Sequence, residues 1–268
     1  MSTGPAPRVS VVLAVRDGAP WVGEAVRSVL GQTLTDLELV VIDDGSTDDT
    51  PQTLAGFVDS RLRVARRARL GLTRSLNEGV SLARASLIAR LDADDVAMPE
   101  RLARQVAFLD AHPEIGLLGT GATEVDESGR EVGRLVPPAA DAEIRRALIR
   151  RNVFVHSSVM MRRQAFASAG GYDATFPVAQ DYDLWLRLAR VTRLANLPEP
   201  LVVRRLLPGR VSATREADRL RAEARVRWRE LRAGRYPAWC VVFALRPRLA
   251  LALPAAARQA WRRLQARA

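Results

Sequence analysis

Along the first half of the chain, β-branched and aliphatic runs alternate with stretches of helical period. Val9-Ser10-Val11-Val12-Leu13-Ala14-Val15 contains neither Gly nor Pro and reads as a buried strand. Leu37–Ile42, the shorter Leu62–Ala65 and Leu87–Leu91 read the same way. Between them, Val22, Ala25, Val26, Val29 and Leu30 give residues 20–31 a helical stripe, and Leu72–Ala83 carries another. This β-α-β-α alternation predicts parallel strands joined by right-handed crossovers. Further on, the pattern predicts a helix over 99–111 and a strand over Ile115–Val125. A turn at Asp126–Arg130 then leads into an antiparallel segment, 131–136, followed by a helix over 141–151. Phe154–Met161 is strand-like with polar interruptions, and Gly170-Gly171-Tyr172-Asp173 is a turn. A helix opens near Gln180, with Leu184, Trp185, Leu188 and Val191 spaced for the core.

Two of the strands end in carboxylates. Asp92, Asp94 and Asp95 leave the fourth, and Pro99 with Glu100 starts the next helix. Open α/β sheets bind ligands at the carboxyl ends of their strands. Three clustered acids repel one another unless a cation neutralises them. Mg²⁺ or Mn²⁺, held by one or two carboxylates and completed by substrate phosphates and water, fits this count; a solvated acidic turn is the alternative. The second strand ends in Asp43-Asp44-Gly45-Ser46, where Gly45 permits a tight turn and Thr50, before Pro51, can cap a helix. Both acidic loops emerge at one sheet edge. That suits a nucleotide, one set meeting base or ribose donors and the other metal-bridged phosphates. Neither G-x-G-x-x-G nor G-x-x-x-x-G-K-[ST] is present, so a divalent ion is the natural counter-charge for a diphosphate. Asp181 either caps its helix or faces a cleft, and His156 is as compatible with a structural role as with a functional one.

Charge changes the picture only when it is divided. Residues 1–200 carry 24 arginines against 26 carboxylates, and residues 201–268 carry 17 against 4. The nearly neutral body does not advertise nucleic-acid binding. Every basic residue other than the two histidines is Arg, which excludes a lysine nucleophile or Schiff base. The single cysteine, Cys240, allows no internal disulfide and fits a reducing compartment. With no apolar stretch of signal-peptide length at the start, a cytoplasmic location is expected. The basic tail, 213–268, is expected to begin with a helix over 213–235 whose Ala217, Leu220, Ala224, Trp228 and Leu231 line one face. Its apolar stretches 238–245 and 249–257 are split by Arg246-Pro247-Arg248 and fall short of the roughly 20 residues a membrane span needs. A final stretch, 258–267, holds Trp261 and Leu264. Such alternation suits a peripheral helix on an anionic leaflet, with a tail folded back on the body as the alternative.

The segments VSVVLAVRDGAPWVGEAVRSVLGQT, LELVVIDDGSTDDT, GLTRSLNEGVSLARASLIARLDADD, HSSVMMRR and QDYDLWLRL stand in the order and spacing of family 2 glycosyltransferases, which the chain resembles over roughly residues 8–212. The resemblance implies an α/β GT-A (nucleotide-diphospho-sugar transferase) fold, a mainly parallel Rossmann-like sheet flanked by helices, in a domain spanning 1–212 with the tail appended. It implies an inverting enzyme that uses a nucleoside-diphosphate sugar. Asp44, with Asp43 beside it, matches the contact to the base. Asp92 and Asp94 match the pair near ribose and diphosphate, with Asp94 or Asp95 meeting the metal, and Asp181 matches the general base. The expected partners are the sugar donor, a saccharide or lipid-linked acceptor of polysaccharide synthesis and an anionic membrane surface, with no nucleic acid. A nucleotidyltransferase and a catalytically silent sugar-nucleotide-binding protein are the rival readings. Three positions depart from the family pattern: Arg16-Asp17 stands where Tyr-Asn is usual, Gln180 where Glu is common, and Leu207 where a histidine can reach the metal.

Overall fold

A computed structural model describes residues 5–207 and 215–252. The first four strands form where the apolar runs predict them: β1 (Val9–Val15), β2 (Leu37–Asp43), β3 (Leu62–Arg66) and β4 (Leu87–Arg90). The intervening stripes form α1 (Ala19–Leu30), α2 (Thr50–Ala55) and α3 (Leu72–Leu82). These strands are parallel in the order β3-β2-β1-β4, with Val15 opposite Asp43 and Val12 opposite Arg90. That register brings both acidic loops to one edge.

The rest of the chain completes the sheet with β5 (Val96–Ala97), β6 (Ile115–Val125), β7 (Glu131–Leu135), β8 (Met160–Arg162) and β9 (Arg193–Arg205). The sheet runs β3-β2-β1-β4-β8-β6-β9-β5, with β7 on β6. β8 is antiparallel to both neighbours, whereas β6 and β9 are parallel. Pro198 and Pro200 lack ladder N–H groups, and the β6–β9 register jumps beside them, from Thr120 opposite Leu197 to Gly121 opposite Pro200.

Period-two alternation sends side chains to both sheet faces. On one face Val11 and Leu13 pack with Val22, Val26 and Val29 of α1 and with Leu102, Val106 and Leu109 of α4 (Arg101–Ala111). On the other, Val12 and Ile88 pack with Leu76 and Val80 of α3 and with α5 (Asp141–Leu148), α6 (Arg163–Ser168) and α7 (Gln180–Leu188). Gly79 lets α3 lie close to the sheet: a Cβ there would fall 2.4 Å from Val12 Cγ1.

Three expectations are revised. Phe154–Met161 is mostly not strand, because His156–Ser158 forms a 3-10 turn in which Ser158 Oγ donates to Val155 O (2.9 Å), leaving Met160–Arg162 as strand. Val191 lies beyond α7 and is 47% exposed, so it is not core, whereas Leu184, Trp185 and Leu188 are fully buried. Thr50 does not cap α2; it is that helix's first residue, and its Oγ1 accepts from Gly18 N–H (2.9 Å), tying the loop after β1 to α2.

The tail helix forms as α8 (Glu216–Arg232), followed by α9 (Val241–Ala252). Ala222 and Val226 join the core beside α7. Charged side chains fasten the contact: Arg229 and Arg187 pair with buried Asp183, each at 2.6 Å, and buried Glu230 pairs with Arg190, Arg229 and Arg235. Of the remaining expectations, the end of the apolar stretch 249–257 and the stretch with Trp261 and Leu264 lie outside the described residues. Among the described residues no helix is long and apolar enough to cross a membrane.

Candidate active site

The loop leaving β4 packs its acids around a buried arginine. Arg90, 2% exposed, is fixed from behind by the residue before β8, since its N–H donates to Val159 O (3.0 Å). Its guanidinium pairs with Asp92 and donates to Ser157 Oγ (3.1 Å). Burial would raise the Asp92 carboxyl, but Arg90 overrides it by charge and hydrogen bond, and Asp92 falls to about 2. Ser157 Oγ lies 2.7 Å from Asp92 Oδ2 and also contacts Asp95 Oδ2, with one proton for the two acids. Asp95 Oδ1 accepts from Arg205 N–H (2.9 Å) at the end of β9. Asp95 is buried, and burial with the charges of Asp92 and Asp94 raises it to about 7. Burial and Asp92 raise Asp94 to about 6, and no side chain among the described residues hydrogen-bonds its carboxylate.

This arrangement fits a hard divalent cation. Asp92, Asp94 and Asp95 each offer an oxygen, and those atoms lie within 4.8 Å of one another. Two of the three are held above the ordinary carboxyl range by burial and mutual repulsion, a tension that positive charge relieves. An all-oxygen set suits Mg²⁺ or Mn²⁺. Leu207, beyond β9, offers no donor to such an ion.

The β2 loop forms the neighbouring wall. Asp43 is buried; Oδ1 accepts from Ser46 N–H (2.9 Å) and Oδ2 lies 3.5 Å from Arg66 Nε. Asp44 hangs on β1 through its own N–H to Val15 O (2.8 Å), and its carboxylate accepts from the amides of Leu70 (2.5 Å) and Gly71 (2.9 Å). It therefore orders the loop before α3. Asp17 takes a left-handed φ of 51° and accepts from Thr47 N–H (2.8 Å), so Arg16-Asp17 is tied to this wall.

Asp181 approaches from the far end of the sequence. It sits in the first turn of α7, behind Ala179 with its left-handed φ of 57°, so it is not the cap. Its Oδ2 accepts from Asn152 Nδ2 (2.7 Å). Burial raises its carboxyl above the ordinary range despite the Tyr182 amide, Asn152 and the charge of Arg90, all of which lower it. Gln180 beside it is buried. His156 Nε2 lies 2.8 Å from Tyr172 Oη and its ring meets Trp185 edge-on. Burial first, then Arg90, hold His156 well below its usual value, so it is neutral.

Arg90 is thus the hub: its charge acts on Asp92, Asp95, His156, Tyr172 and Asp181. Five named carboxylates were expected near strand ends, and the structure brings Asp43, Asp44, Asp92, Asp94 and Asp95 to one edge, with Asp181 within electrostatic reach of the Arg90–Asp92 pair. Arg90, Ser157 and Asn152 were not anticipated. Ser157 stood in the HSSVMMRR segment and Arg90 in LIARLDADD, a charged residue inside an apolar run.

Acidic strand ends clustered at the carboxyl edge of an open α/β sheet stand where folds of this class bind their ligands. Within that class the chain belongs to glycosyl transferase family 2, whose model matches residues 10–170. EpsE of Bacillus subtilis is 34% identical over 193 residues, 70% of this chain and 68% of its own. The amylovoran biosynthesis glycosyltransferase AmsE of Erwinia amylovora is 33% identical over 184 residues, 67% of this chain and 68% of its own. Among solved structures, S. aureus TarS 1-349 in complex with UDP-GlcNAc matches with a TM-score of 0.68 at 19% identity. The match covers 82% of this chain and 66% of that one, and the architecture is that of the GT-A fold.

Proposed function

We propose that this protein transfers a sugar from a nucleoside-diphosphate donor to an acceptor hydroxyl with inversion, aided by Mg²⁺ or Mn²⁺. The donor lies along the carboxyl edge of β1, β2 and β4, its base beside Asp43 and Asp44 and its ribose near Asp92. Asp94 and Asp95 would hold the cation, which when bound supplies positive charge to the departing diphosphate. Asp181 accepts the proton as the acceptor oxygen forms its bond to the anomeric carbon and the bond to the diphosphate breaks. One displacement inverts the centre and needs no enzyme nucleophile. The carrying observation is the contrast between a carboxyl raised by burial at the start of α7 and an acidic triad of metal-ligand type, both touching the field of Arg90.

The acceptor is a saccharide or lipid-linked intermediate of polysaccharide synthesis, in keeping with the amylovoran role in AmsE's name. Residues 1–212 form the catalytic unit, and 213–268 bring it to the cytoplasmic face of a membrane. A thermal-shift panel of UDP-, GDP- and dTDP-sugars, each with and without Mn²⁺, tests the donor reading. The UDP-GlcNAc complex of TarS makes UDP-sugars the first arm. One donor should stabilise in a metal-dependent way; stabilisation by none of them removes the reading.

A further inference from the structure

α8 carries an arginine stripe that the transfer reaction does not use. Arg221, Arg225, Trp228, Arg229 and Arg232 recur at helical spacing along one side of α8, and with Arg248 of α9 they line a groove of about 830 Å³. Like charges at this spacing oppose the helix. Arg229 is neutralised by Asp183 and Glu230, and Arg221 by Asp218. Arg232 and Arg248 have no carboxylate within ion-pair distance among the described residues, and Arg225 has only the more distant charge of Asp173 in the groove wall. Arg225 lies over Phe176 (4.7 Å to the ring centroid), and Arg232 and Arg248 both lie 5.6 Å from the ring of Trp228. Two guanidinium groups gathered at one indole, each lacking a protein anion, mark a place for an external one.

What faces outward beside this groove decides the kind of anion. On α9, Val242, Leu245 and Leu249 share one exposed stripe, 48%, 41% and 63% accessible, and Trp239, 59% accessible, stands just before the helix. Arg246 and Arg248 flank the stripe on its two sides, as helical geometry requires of their positions. A soluble phosphate has no use for four exposed apolar side chains. A bilayer does, with apolar groups entering the acyl boundary while arginines meet headgroup phosphates.

We propose that the α8–α9 face is a membrane-docking surface. Phosphate headgroups of anionic lipids enter the Arg225–Arg232–Arg248 groove, and Trp239, Val242, Leu245 and Leu249 insert beside them. Asp173 and Phe176 of the groove wall lie in the segment leading into α7, which carries Asp181. Docking therefore sets the base-bearing helix close to the lipid surface. The surface deepens the membrane attachment proposed above for 213–268 and rests on charge and exposure rather than on the transfer chemistry, so it can fail while the transfer reading stands.

Flotation of the full chain with vesicles tests it. The protein should float with phosphatidylcholine vesicles containing phosphatidylglycerol and stay behind with phosphatidylcholine alone. Raising salt from about 0.1 M to about 0.5 M should release it, since the charges are then screened within a few ångströms. Each arginine near an anionic leaflet is worth about fivefold in partition, so R225Q/R232Q/R248Q should weaken binding on the order of a hundredfold. L245S/L249S should weaken it too. All five side chains are exposed, and unchanged circular dichroism will show that the variants fold. Equal flotation with neutral vesicles, or undiminished binding by the triple variant, overturns the proposal. So does displacement by inorganic phosphate at constant ionic strength, which makes the groove a soluble-anion site. A dimer that L245S/L249S dissolves assigns the stripe to a second copy instead.

Discussion

In the proposed reaction, replacing Asp181 by Asn removes the proton acceptor and little else. Its carboxylate accepts one bond from Asn152 Nδ2 at 2.7 Å, and an amide oxygen of the same shape can accept it too. A positioned general base contributes about 10²–10⁴ in rate, so kcat should fall by that factor, roughly 3–5 kcal/mol of barrier. Donor binding should be nearly unchanged. Stability should move the other way. Burial raises the Asp181 carboxyl above its ordinary 3.8 in the fold. A raised carboxyl stabilises the fold fully below its unfolded value, and that contribution is lost as pH rises through the folded value. At neutral pH the ionised group therefore works against folding, and Asp181→Asn should leave Tm unchanged or higher. The same ionisation governs turnover: kcat/KM should fall on the acid side, with its limb above the usual aspartate range. Asn152→Leu removes a bond that favours the ionised form, so the limb should move to higher pH while the plateau holds. Release of nucleoside diphosphate, followed across pH in wild type and both variants, measures all of this. Near wild-type turnover by the D181N variant would refute the assignment of the base; loss of rate and Tm together would show that Asp181 serves the fold.

Other consequences are open to test. Without metal, Asp94 and Asp95 are held at about 6 and about 7 against an ordinary 3.8, so their contribution to stability is complete below 3.8 and lost as pH rises through 6–7. The chelated protein should melt lower at pH 8 than at pH 5, Mn²⁺ should recover the loss at pH 8, and Asp94→Asn should diminish both effects. Glu230→Gln leaves three arginines without their shared buried carboxylate and should cost about 1–3 kcal/mol in denaturant unfolding, since the arginines are partly exposed. Gly79→Ala drives a methyl into Val12 and should cost about 1–3 kcal/mol.

The parallel half of the sheet was legible because β1, β2 and β4 are buried on both faces and read as apolar runs between clear helical stripes, while β3 at the edge is short and partly exposed. Asp43, Asp44, Asp92, Asp94 and Asp95 were legible as candidates for the same reason: Asp43 and Asp92 each follow such a run and the others stand just beyond them. Asp181 was singled out only by the segment it stands in, and nothing local in the sequence distinguishes it from a cap. The antiparallel half was harder. His156-Ser157-Ser158 bends the chain with side-chain hydrogen bonds whose partners are distant in sequence, Thr120 and Asp92 among them. Arg90 was hidden by its own setting, since a buried guanidinium makes sense only once Asp92 and Ser157 are seen around it. The stripe expected on α8 is only partly its buried face, since Leu220 and Ala224 are buried but Ala222 and Val226 reach the core, and nothing in it announces that Asp183 and Glu230 receive arginines.

The hub at Arg90 has one more outcome. A guanidinium keeps its proton at any pH a folded protein survives, and the chain contains no lysine. The positive charge inside the crevice is therefore a constant, not a variable. Loss of turnover in alkali therefore cannot originate in Arg90 giving up its charge.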